Sequence, residues 1–208
     1  MNERVERKQH IIKEFDNKEE FELNLVEASV HPIGAVGLWN SMIKIIKMAK
    51  EKGDDIIVIC EDDHYFTENY SPKLLFKEVT EAYIQGAEVL SGGIGGFGQA
   101  IPAGYHRYKV DWFWCTQFIV IYNRFFDKML DYSFQNTDTA DGVISKLATN
   151  IMVIYPFISE QKDFGYSDVT QSNMEQQGKI REHFAKANKR MEFVSQSNIQ
   201  SNIPKNYF

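Results

Sequence analysis

The stretch Ile56-Ile57-Val58-Ile59-Cys60-Glu61-Asp62-Asp63-His64 constrains the fold more than any other, because an unbroken apolar run stops abruptly at three consecutive carboxylates. Apolar, mostly β-branched residues in such a run read as a strand buried on both faces, and strands of that kind belong to sheets covered by helices. The carboxylates would then emerge at the strand's C-terminal end, the edge at which open α/β sheets bind ligands. Like charges this close repel one another unless a cation lies between them. A hard divalent metal, Mn2+ or Mg2+, is the simplest such cation, since both take oxygen ligands and share their shell with phosphate oxygens. Side chains alternate along a strand, so Glu61 and Asp63 would face one way and Asp62 the other. The spacing therefore offers Asp63 and Glu61 as a pair of metal ligands suited to a diphosphate, and Glu61 and Asp62 are the candidates for contact with bound substrate. The competing reading makes all three ordinary turn and capping groups. His64 reads more readily as a structural or solvated group than as a further ligand.

The flanking sequence supplies the layers. Residues 3–15 place Val5, Ile11, Ile12 and Phe15 loosely at helical spacing among many charges, as in a surface helix. Residues 21–28 alternate apolar and polar and read as a strand. A Pro/Gly loop over 31–37 leads into a wide apolar helical stripe over 38–52, which Gly53 stops. Ser71-Pro72 opens a helix to about residue 87, and Val89-Leu90 begins a short strand. Ser91 to Gly98 holds five glycines in eight residues and reads as a mobile loop. Its spacing fits neither a P-loop nor a dinucleotide fingerprint, and the next element looks like a strand. Residues 108–122 form two strands or one bent one, Asn123 caps a helix over 124–132, and residues 137–141 open another helix. Residues 151–155 are a second fully apolar strand. A polar loop over 161–168, a charged helix from about 173 to 190 and a polar tail complete the chain. Alternating helices and strands of this kind define an α/β class with a mixed, mainly parallel sheet.

At 208 residues the chain suits one domain. Its net charge of -6 argues against nucleic acid as a partner. No apolar stretch is long enough to span a bilayer, and the N-terminus is polar, so a soluble, cytoplasmic protein is expected. Cys60 and Cys115 lie inside apolar runs and read as buried thiols. The aromatic residues, Phe 15, Tyr 10 and Trp 3, suit a sugar-binding cleft and a bulky core equally.

Beyond the acidic triplet, Asp138 reads as an N-cap and Asp141 as a first-turn residue favoured by the helix dipole. Trp112, Trp114 and Tyr105 are candidates for stacking on a sugar face, competing with core packing.

Taken in order, these pieces resemble glycosyltransferase family 25, the group containing lipooligosaccharide β-galactosyltransferases, which has the nucleotide-diphosphate-sugar fold known as GT-A. The charged helix from Arg4 to Phe15, the Gly-containing segment from Gly34 to Ile43 and the Glu61-Asp62-Asp63 motif are similar to the family's. So are the strand and short helix from Phe118 to Leu130, Asp141-Gly142-Val143-Ile144, and the closing segment from Tyr155-Pro156-Phe157 through Gln161 to Ser167-Asp168. The resemblance covers about residues 4–170, and the chain departs from it in two places. The family's first strand is not found before the first helix, and Gly37-Leu38-Trp39-Asn40-Ser41-Met42 lacks the family's Cys and His.

The resemblance implies a layered α/β/α domain over 1–170; residues 171–208, a C-terminal helix and tail, lie outside it. Packing on that domain is the default for the helix, and contact with a membrane-bound acceptor or a second subunit is the alternative. It also implies inverting transfer of a hexose from a nucleoside diphosphate sugar, a UDP-hexose first, to a glycan acceptor in surface lipooligosaccharide or polysaccharide synthesis. Asp141, then Asp138, would be the base. Gln161 and Asp168 would border the metal or the donor. The enzyme would be cytoplasmic, at the inner face of the membrane if its acceptor is lipid-linked. A non-catalytic nucleotide- or sugar-binding module is the main alternative. A metal-dependent phosphoesterase would need a second constellation of paired His and Asp, which five scattered histidines do not supply.

Overall fold

The computed structural model describes residues 5–165 and 178–201. Its elements run α1 (Val5–Glu14), α2 (Gly34–Lys52), β1 (Ile56–Cys60), β2 (His64–Phe66), α3 (Pro72–Ile84), β3 (Val89–Ser91), β4 (Ala100–Pro102), β5 (Arg107–Val110), β6 (Phe118–Tyr122), α4 (Asn123–Leu130), α5 (Ala140–Leu147), β7 (Ile151–Ile154), β8 (Ser159–Gln161) and α6 (Lys179–Ser201). The main sheet has the order β1-β6-β3-β7-β5-β4, and β2 and β8 form a separate two-stranded ribbon.

The central strands show why this sequence makes a covered sheet. Successive side chains of a strand point to opposite faces. Val89, Ile119, Ile121, Ile151 and Val153 accordingly join Met42, Ile46, Phe125, Ile144 and Phe184 in one core. Their neighbours Leu90, Val120, Tyr122, Met152 and Ile154 join Leu75 and Ala82 of α3 in the other. Helices α2, α4, α5 and α6 therefore cover one face and α3 covers the opposite one. Each fully buried aliphatic or aromatic side chain contributes roughly 1.5–3 kcal/mol, so the uniformly apolar β6 and β7 anchor the molecule.

Helix boundaries follow local chemistry. The Ser71 hydroxyl accepts from Leu74 N, with Pro72 in the first turn, and Gly53 closes α2 at φ 76, a left-handed conformation that suits glycine. The α4 cap differs from expectation: Tyr122 is its N-cap without a side-chain bond, while Asn123 Nδ2 donates to Asp55 Oδ1 at 2.5 Å.

The sheet is mixed as expected, but mostly antiparallel. Among the described strands only β3 and β7 pair in parallel; β6 runs antiparallel between β1 and β3, and β5 pairs antiparallel with β7 and β4. Apolar runs identify strands but not their partners. The same ambiguity affects β1, which lies at the sheet edge; Ile56 is 36% exposed while Ile59 is 3% exposed. Residues 21–28 form no strand. Phe21 packs edge-on against Phe15 and Phe118, but Leu23 and Leu25 are 40% and 51% exposed.

The glycine run is a packed segment rather than a mobile loop. Residues 91–97 are all buried, and a Cβ on Gly93 would lie 1.9 Å from the Ser159 carbonyl oxygen. Helix α6 docks through Phe184, Ala187 and Met191, each at most 1% exposed. Among the described residues no helix is long and apolar enough to cross a membrane.

Candidate functional site

Strands β1, β3 and β7 point the same way, so their C-terminal ends share one edge of the sheet. The acidic triplet sits there, but not in extended form. His64 N bonds back to Glu61 O at 3.2 Å, a turn that cancels the expected alternation. Asp62 and Asp63 both engage one cation, and Glu61 departs in a different direction.

That cation is Arg7 of α1. Its Nη1 lies 2.6 Å from Asp62 Oδ1 and 3.2 Å from Asp63 Oδ2, and the residue is only 6% exposed. The hydrophobic pattern gave no hint of this contact, because the inward face of α1 is largely polar. Arg7, His10, Ile11 and Glu14 fall at positions i, i+3, i+4 and i+7, one side of a helix. His10 Nε2 is 2.8 Å from His64 O, Glu14 Oε2 accepts from Phe66 N at 3.1 Å, and Ile11 is buried, 5% exposed. The expected surface helix is therefore docked along β2.

Asp63 has further partners. Gln161 Nε2 donates to its Oδ2 at 2.8 Å, because the β2–β8 register sets Gln161 opposite His64. Gln161 thus borders the acidic turn. Asp63 Oδ1 is buried and has no hydrogen-bond partner among the described residues. Burial pushes the Asp63 carboxyl upward, while Arg7 and Gln161 pull against that shift.

Glu61 turns to the opposite wall. Its Oε1 accepts from Thr116 Oγ1 at 2.5 Å. Burial, reinforced by the charge of Asp63, raises its carboxyl to about 8, against the opposing Thr116 bond. Asp141 is close enough to add to the same rise. The segment 114–117 connects the groups: Trp114 bridges Gly96, Cys115 N donates to Asp141 Oδ2 at 3.2 Å, Thr116 holds Glu61, and Gln117 O accepts from Glu61 N at 3.0 Å. Cys115 has a φ of 77, a conformation that costs a non-glycine residue roughly 1–2 kcal/mol. Thr116, Gln117 and this strained backbone carried no sequence signal.

Asp141 sits in the first turn of α5, where its Oδ1 also accepts from Gly142 N at 2.8 Å. Asp138 is bound in the turn before that helix, accepting from Tyr132 Oη at 3.0 Å and Gln135 N at 2.8 Å. Trp112 and Trp114 form an aromatic pair with centroids 5.2 Å apart. Trp114 is 48% exposed and meets His183 of α6 edge-on. Tyr105 stands 81% exposed on the β4–β5 connection. His64 is enclosed by Phe66 and Phe118; its Nδ1 lies 2.7 Å from Ser159 Oγ, and burial lowers it to about 3, the signature of a structural, neutral imidazole. Asp168 lies outside the described residues. A groove of about 500 Å3 between β4 and α6, walled by Phe97, Ile101 and Phe193, includes none of the acidic site residues.

The divalent metal expected from the acidic triplet does not fit this arrangement. The guanidinium of Arg7 already lies between two of the carboxylates, and the third is turned to Thr116 and drawn toward its neutral form. Among the described residues no group of three or more His, Cys, Asp or Glu is arranged to hold a metal ion.

No protein family matches the chain by its sequence profile, and no curated protein matches it. Solved structures similar to it include the apo form of a UDP-glucose pyrophosphorylase, with TM-score 0.42 and 10% identity over 74% of this chain and 61% of that one. A UDP-glucose pyrophosphorylase complexed with UDP-glucose has TM-score 0.45 and 10% identity over 89% of this chain and 74% of that one. The chain spans about three-fifths of the former's length.

Proposed function

We propose that this chain binds a nucleoside diphosphate sugar at the edge defined by Glu61, Asp62, Asp63, Asp141 and Gln161, and transfers its hexose to a glycan hydroxyl. The observation that carries this reading is convergence: three separate stretches, each matching one piece of the family 25 resemblance, meet at one end of the sheet. A UDP-hexose is the first donor to test, and an acceptor of the lipooligosaccharide or polysaccharide type follows from the same resemblance.

In the proposed reaction the acceptor oxygen attacks the anomeric carbon, the bond from that carbon to the diphosphate oxygen breaks, and the configuration inverts. The acceptor's proton goes to the carboxylate of Asp141, whose two oxygens are aimed by Cys115 N–H and Gly142 N–H. Asp138 is the weaker candidate, since its carboxylate already holds the turn before α5. Trp112 and Trp114 offer an aromatic surface for a sugar face beside this base. No step is routed through a divalent metal.

A non-catalytic nucleotide- or sugar-binding module is the second reading, and the Arg7 bridge favours it, because the charges of Asp62 and Asp63 are already neutralised. Thermal unfolding with a panel of nucleoside diphosphates, in EDTA and in Mn2+, separates the two. Stabilisation by UDP, together with release of UDP from UDP-hexose in the presence of an oligosaccharide acceptor, supports the transferase. Stabilisation without turnover supports the binding module. No response to any nucleotide contradicts the transferase and the nucleotide-binding form of the module.

A further inference from the structure

The acidic turn has been supplied with its counter-charge from within the chain. We infer that Arg7 is the fixed cation of this site, standing where a divalent ion would otherwise be needed, so that the folded site neither requires nor takes up a metal. Arginine suits the position because its planar, permanently charged fork can serve two carboxylates at once. Here Nη1 alone reaches both Asp62 Oδ1, at 2.6 Å, and Asp63 Oδ2, at 3.2 Å. Carboxylates this close are relieved by a cation between them or by protonation of one, and between Asp62 and Asp63 the structure places the Arg7 guanidinium.

The placement is held by more than one bond. His10 and Glu14 fasten the same helix face to the backbone of β2 at His64 O and Phe66 N, and the Arg7 guanidinium carbon lies 4.9 Å from the Phe164 ring centroid. A metal would have to displace a buried guanidinium and then compensate its lost contacts. Asp63 Oδ1, buried and without a hydrogen bond among the described residues, marks the oxygen that a cation in place of Arg7 would engage first. The consequence for ligand binding, that a nucleotide enters without a bridging metal, rests on the nucleotide-sugar reading above; the metal behaviour itself does not.

The test is a Mn2+ titration of the full chain without nucleotide, following the free Mn2+ signal by electron paramagnetic resonance. The wild type is expected to leave that signal unchanged up to about 1 mM, weaker than the sub-millimolar range of dedicated oxygen-ligand sites. Arg7→Gln is expected to bind one equivalent, with an affinity that Asp63→Asn in the same background lowers tenfold or more. Stoichiometric Mn2+ binding by the wild type overturns the inference, and so does a folded Arg7→Gln protein that binds none. Should Arg7→Gln fail to fold, the Arg7→Gln/Asp63→Asn protein is expected to recover the native circular dichroism spectrum, since the stranded buried charge is gone. Failure of that double variant to refold also overturns it. None of these outcomes depends on whether UDP binds.

Discussion

At the scale of single residues, Glu61 gives the candidate site its clearest pH signature. Its carboxyl is raised from an ordinary 4.5 to about 8 by burial and by Asp63. Between those values the folded chain holds a proton at Glu61 that the unfolded chain has lost. Stability is therefore greatest below pH 4.5 with respect to this group and falls as pH rises toward 8. Urea unfolding from pH 5 to pH 9 should show Glu61→Gln losing less stability than wild type, by about 2–4 kcal/mol across the range. Equal slopes for the two proteins would remove Glu61 from the account. His64 acts in the opposite sense. Burial depresses it from 6.5 to about 3, so its share of stability is present above 6.5 and lost as pH falls. The acidic triplet is legible as a candidate site because three adjacent carboxylates carry their own electrostatic demand. Arg7 was not, since one arginine in a charged helix looks like any solvated one until its partners, more than fifty positions away, are in place.

At the scale of elements, the same residue type serves different ends, and glycine shows it. A Cβ on Gly53 meets nothing within 4 Å, so its φ of 76 is the sole obstacle. Gly53→Ala should cost about 1 kcal/mol. Gly93→Ala must push a methyl group into the Ser159 carbonyl and should cost about 3 kcal/mol or more. Denaturant midpoints of the two variants check the contrast, and equal losses would contradict the packed reading of residues 91–97. Strand β5 is tied to α3 by Arg107, fully buried with Glu78 and bridged also to Glu81 at 3.3 Å. Removing one partner of a buried pair leaves an uncompensated charge. Arg107→Met should therefore destabilise by roughly 3–5 kcal/mol, and the Arg107→Met/Glu78→Leu double variant should recover most of it. Helix positions were readable from stripes and caps: Ser71-Pro72 and Gly53 each ended or began an element as their chemistry requires. Strand pairing was not, because β1 and β6 have the same apolar texture and only the tertiary fold decides which lies at an edge.

For the whole molecule, the α/β class and the covered sheet follow from the sequence, while the balance of parallel and antiparallel pairs does not. The central claim is that the edge shared by β1, β3 and β7 is a nucleotide-sugar site in which Arg7, rather than a metal, offsets the acidic turn. Isothermal titration of the full chain with UDP and with UDP-glucose, in EDTA, tests it most directly. Asp141→Asn keeps one oxygen, which serves only one of the Cys115 and Gly142 N–H donors, and should leave UDP binding within about threefold, while transfer to an oligosaccharide acceptor falls by two orders of magnitude or more. Saturable, EDTA-insensitive binding by the wild type with that separation is the predicted result. Absence of heat with either ligand, or binding that appears only when Mn2+ is added, would contradict the account.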